Sequence, residues 1–122
     1  MSDVISLKEL KQWMDSKRDF ILIDVRSPSE LSHGLLPGAK NIPLKELSDA
    51  LDLPEKDFLN RFRFEKPAGK TVVFYCRTGN RSLFATGLAK RKGFDVRNFS
   101  GSIWEWSAID PAVKRYGPAP LS

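Results

Sequence analysis

The sequence predicts one α/β domain, a sheet covered by helices, and three observations predict it. Short apolar runs alternate along the chain with longer amphipathic segments. Two of those runs, at residues 20–23 and 71–75, are β-branched and aromatic without polar alternation, the pattern of strands buried on both faces of a parallel sheet. With 122 residues, the chain is long enough for one compact core and too short for two ordinary domains.

Each element follows from a local pattern. Residues 4–6 fit a short strand, and Leu7, Leu10 and Met14 then fall at helical spacing. Two further short strands fit residues 39–42 and 95–99. Between 53 and 68 lies a stretch rich in Phe and charge, in which Phe58 and Phe62 can share one helical face as core, or else form a lip over a pocket. The clearest helix covers 81–92, with Leu83, Phe84 and Leu88 as its expected apolar stripe. Lys90, Arg91 and Lys92 complement its negative end, and Gly93 supplies a left-handed stop. Trp104 and Trp106 follow the last strand as packing residues. The domain is expected to occupy 1–116, with 117–122 as a loose tail.

Composition excludes several classes. One Cys and one His offer neither an internal disulfide nor the ligands of a structural metal site. The N-terminal segment lacks the pattern of a secretory leader and no apolar run approaches a membrane span, so the expectation is a cytoplasmic protein with no membrane partner. The net charge of +5 is uneven: residues 1–61 carry 9 Lys/Arg against 11 Asp/Glu, and residues 62–122 carry 11 against 4. The basic half favours an anionic substrate. It does not favour nucleic acid, because the basic residues are not interleaved with an aromatic platform.

The chemistry concentrates at Cys76-Arg77-Thr78-Gly79-Asn80-Arg81-Ser82, where a buried strand ends and a helix begins. Gly79 and Asn80 suit a sharply curled loop. Such a loop turns successive N–H groups inward as an anion nest, and the helix N-terminus adds partial positive charge. With Arg77 and Arg81 nearby, these features favour thiolate over thiol at Cys76. Four residues separate Cys76 from Arg81. Cysteine-based phosphatases use five, a loop wide enough for a phosphoryl group, and no motif here supplies their general acid.

This loop resembles the active-site loop of the rhodaneses, the thiosulfate sulfurtransferase family. Two more segments agree in order and spacing: Leu22-Ile-Asp-Val-Arg26 with Glu30 following, and Pro37-Gly-Ala-Lys-Asn-Ile-Pro43. The resemblance runs from about Ser6 to Trp106. It implies a five-stranded parallel sheet flanked by helices on both faces, and no cofactor. It also implies that Cys76 takes the outer sulfur of thiosulfate as a persulfide. The amides of residues 77–82 would stabilise that charge, and Arg77 and Arg81 would orient the dianion. With no second thiol to resolve it, the persulfide needs an outside acceptor: glutathione, cyanide or a protein thiol. The alternative is a protein-to-protein sulfur relay loaded by a partner.

The sequence departs from the family pattern twice. Gly34-Leu35-Leu36 stands where many members have Gly-His-Ile, leaving His33 as an expected exposed loop residue. Gly101-Ser102 replaces the usual Gly-Gly after the last strand. Asp24 and Arg26 read either as supports of the active loop or as structural residues, with Arg26 pairing Glu30; the structural reading is preferred.

Overall fold

The computed structural model describes residues 3–120. Five parallel strands form one sheet: β1 Val4–Ile5, β2 Phe20–Asp24, β3 Lys40–Asn41, β4 Thr71–Tyr75 and β5 Val96–Phe99, in the spatial order β1-β5-β4-β2-β3. The helices are α1 Leu7–Asp15, α2 Leu44–Asp52, α3 Glu55–Phe62, α4 Asn80–Arg91 and α5 Ser102–Trp106, with a 3-10 turn at Pro28–His33.

Strand β4 lies at the centre, and its side chains explain the uninterrupted apolar run. Val72, Phe74 and Cys76 face one core with Ile23, Leu47, Phe58 and Ala85; Val73 and Tyr75 face a second with Leu10, Phe99, Ile103 and Trp106. Both faces are therefore covered, by α2, α3 and α4 on one side and α1 and α5 on the other. Phe58 is fully buried against Phe62 and Phe64, which assigns that cluster to the core.

Local signals placed most boundaries. Ser6 and Glu9 form a reciprocal capping box that starts α1. Gly93, at φ 93°, follows α4 as expected. The expected stripe of α4 is corrected. Leu83 and Phe84 are each 60% exposed, Leu88 packs partly buried against the core as expected, and the buried face is Ser82, Ala85, Thr86 and Ala89. Those small residues recur at i, i+3, i+4 and i+7, and they let the helix lie close on the sheet where bulkier side chains would hold it off.

Candidate active site

Cys76 follows directly on the last residue of the central strand, so the sheet delivers its sulfur to the crevice at the strands' carboxyl ends. The following residues curl back around it. The Gly79 amide donates to Sγ at 3.1 Å, and the Ser82 hydroxyl lies 3.5 Å from the same atom. Gly79 sits at φ 102°, and a Cβ there would collide with the Ser100 carbonyl oxygen, so the curl requires glycine. Asn80 does not share that conformation. It is the first residue of α4, which corrects its expected part in the turn.

The sulfur is nearly enclosed, with Cys76 1% exposed. Burial pushes its pKa up. The Ser82 hydroxyl and the amides of Ser82, Gly79 and Thr78 outweigh that, so the thiol ends below its ordinary value. Fixed dipoles of the loop thus act directly on the sulfur.

The loop's base is held by a residue that sequence reasoning passed over. Ser102 Oγ accepts the Cys76 amide at 3.1 Å and donates to the Phe99 carbonyl at 2.8 Å. Ser102 is fully buried and adopts φ 51°. The signal was present in the sequence: serine stands where the resemblance expects glycine, and a left-handed backbone explains that expectation. The amides of Ile103 and Trp104 close the other side by donating to the carbonyls of Cys76 and Arg77.

The charged residues pair differently from the expected arrangement. Arg26 and Asp24 form a fully buried ion pair at 2.6 Å, and of Glu30 the Arg26 guanidinium meets the backbone carbonyl, not the carboxylate. The Glu30 carboxylate instead takes a two-pronged contact from Arg81, at 2.6 and 2.9 Å. Arg26 is drawn inward by Asp24 at the end of β2, whereas Glu30 turns outward toward the start of α4. Arg81, first among its partners, and then Tyr116 and Ser27 hold the Glu30 carboxyl well below the usual carboxylate range against the opposing effect of burial. Among the described residues, neither Asp24 nor Arg26 hydrogen bonds to loop 76–82; they brace the strand end beside it.

The C-terminal segment also reaches the site. Arg77 Nη1 donates to the carbonyls of Tyr116 at 2.9 Å and Pro118 at 2.7 Å. The tail expected at 117–122 is therefore held at Pro118, while residues 121–122 lie outside the described residues. The Tyr116 hydroxyl donates to Glu30 Oε2 at 2.6 Å and accepts from Arg26 at 3.1 Å. His33 is half-buried with its ring stacked 3.9 Å from that of Tyr116, which corrects its reading as an exposed loop residue. Trp106 is core, while Trp104 stays partly exposed near Arg77. A shallow cleft of about 360 Å³, lined by Val25, Ser27, Pro43, Leu44, Lys45 and Arg81, opens beside the site.

A buried, amide-cradled cysteine at the end of the central strand of a parallel sheet defines a class of α/β proteins built for cysteine chemistry. The particular family is shown by comparison. Residues 6–109 match the family model of the rhodanese-like domain, and the chain belongs to that family. It is 41% identical over 105 residues to human thiosulfate:glutathione sulfurtransferase, a match spanning 84% of this chain and 90% of the relative. It is 40% identical over 90 residues to the mitochondrial thiosulfate sulfurtransferase RDL2 of Saccharomyces cerevisiae, spanning 72% of this chain and 60% of that protein. Among solved structures, the human single-domain sulfurtransferase TSTD1 superposes with a TM-score of 0.85 at 38% identity, covering 90% of this chain and 99% of that one. Among the described residues, no helix is long and apolar enough to cross a membrane.

Proposed function

We propose that this protein is a thiosulfate sulfurtransferase working through a persulfide on Cys76. The thiolate attacks the outer sulfur of thiosulfate, the S–S bond of thiosulfate breaks, and sulfite leaves with the bonding electron pair. The persulfide keeps one negative charge, so charge balances. An acceptor thiolate such as that of glutathione then attacks the outer sulfur, and Cys76 leaves as thiolate.

The observation that carries this reading is the enclosure of Sγ by Gly79 N–H and Ser82 Oγ with a lowered thiol pKa. The amides of Thr78, Gly79 and Ser82 would stabilise the persulfide as they do the thiolate. Arg81, whose side chain is 37% exposed, is the cation proposed to meet the dianion, with Arg77 adding charge at the rim. The donor and acceptor named for the human relative, thiosulfate and glutathione, fit that arrangement.

The test is intact mass before and after thiosulfate, then after glutathione or cyanide. One sulfur atom should be gained and then lost, and Cys76→Ser should gain none while melting within about 6 °C of wild type. Failure of the wild type to gain sulfur would overturn the reading. A protein thiol as acceptor is the second reading, favoured by the exposed Leu83 and Phe84 near the start of α4. A protein acceptor that saturates far below glutathione would establish it.

A further inference from the structure

We infer that Tyr116 is a positioning residue for the donor anion, acting on Arg81 through Glu30, and that Arg77 seats it. This rests on the sulfurtransferase reading above and deepens it.

The contacts form a circuit that leaves the active loop and returns to it. Arg77 leaves the loop, and its Nη1 is spent on two carbonyls, those of Tyr116 and Pro118. Gly117 lies between them at φ 74°, and a Cβ there would stand 2.9 Å from Arg77 Nη1. The segment is thus laid flat against the guanidinium. Seated this way, the Tyr116 ring stacks on His33 and its hydroxyl donates to Glu30 Oε2. Glu30 then holds Arg81 by both terminal nitrogens, and Arg81 is in the first turn of α4, five residues after Cys76.

Two effects of the hydroxyl act in the same direction. It fixes the carboxylate that aims Arg81, and it draws charge from the carboxylate paired with the cation that a dianionic donor needs. Without it, Arg81 is less fixed and Glu30 faces thiosulfate with more of its charge uncompensated. Both changes weaken donor binding, and neither touches the sulfur.

The test measures Cys76 persulfide formation by quenched intact mass across thiosulfate concentrations, in wild type, Tyr116→Phe, Glu30→Ala and the double variant. Tyr116→Phe keeps the ring and its stacking. It should raise the half-saturating thiosulfate concentration about threefold to tenfold, less than the full worth of one charged hydrogen bond because the hydroxyl acts on the donor only through Glu30 and Arg81, and leave the maximal loading rate within about twofold. In the Glu30→Ala background the same change should add nothing. An unchanged half-saturation in Tyr116→Phe overturns the inference. So does a fall in maximal rate that tracks a fall in melting temperature, or a full Tyr116→Phe effect without Glu30. If wild type itself acquires no sulfur, the sulfurtransferase reading fails first and the inference falls with it.

Discussion

Ser82→Ala tests whether fixed dipoles, more than full charges, set the reactivity of Cys76. The Ser82 hydroxyl is foremost among the groups that lower the thiol pKa against burial, so deleting it moves that pKa upward. A hydrogen bond to a charged group contributes about 1.5–3 kcal/mol. The hydroxyl has one proton and two acceptors in reach, Sγ at 3.5 Å and the Gly79 carbonyl at 3.2 Å, which argues for the low end. That low end corresponds to about a tenfold change in the thiol–thiolate equilibrium. Below both pKa values the thiolate population falls about tenfold, but the more basic thiolate is about threefold more nucleophilic, from a Brønsted coefficient near 0.4–0.5. Sulfur loading at low thiosulfate should therefore drop about threefold to fourfold on the acid limb and rise about threefold on the alkaline plateau. The assay is the rate of single-sulfur mass gain from about pH 5 to about pH 10, a range that brackets the ordinary thiol value. An inflection that does not move would refute the reasoning, as would two limbs depressed by the same factor.

Other variants probe the scaffold. Gly79→Ala forces a side chain into the Ser100 carbonyl at φ 102°, and should lower unfolding free energy by about 2 kcal/mol or more in urea titrations while abolishing sulfur loading. Ser102→Gly relieves the φ of 51° but removes the acceptor of the Cys76 amide. Its stability should stay within about 1 kcal/mol while loading slows; loading at the wild-type rate would remove Ser102 from the machinery. Asp24→Asn leaves the Arg26 charge buried without its carboxylate, and should cost about 3–5 kcal/mol by chemical denaturation, far beyond any exposed pair in this chain.

The sheet and the loop were legible in the sequence because their signals are local. An unbroken apolar run marks a strand covered on both faces, and β4 is buried along its whole length. A cysteine followed by Gly79 at a strand-to-helix junction marks the curl. Helix α2 and the short α5 were not anticipated. Helix α4 is legible in the sequence but its buried face is not, because hydrophobicity points to Leu83 and Phe84 while close packing on a sheet selects Ala85 and Ala89. Pairings were the least legible. Arg26 and Glu30 are four apart and invite a local pair, but Asp24 wins Arg26 by offering both carboxylate oxygens at the strand end. Beyond the local Ser27, Glu30 meets Arg81 and Tyr116, 51 and 86 residues away, and no local pattern encodes such distances.

The two loop arginines look equivalent in the sequence and are not equivalent in the fold. Arg77 precedes the glycine turn and points to the C-terminal segment, where two carbonyls meet one of its nitrogens. Arg81 follows the turn on α4 and meets a carboxylate with two nitrogens while remaining partly exposed. A carbonyl leaves a guanidinium's charge in place, whereas a carboxylate cancels it. The positive field at the site therefore comes more from Arg77 and the loop amides than from Arg81 as it rests against Glu30. Any donor anion that engages Arg81 must share it with Glu30. The strength of that competition is set outside the loop, by the hydroxyl of a tyrosine 40 residues downstream of the cysteine.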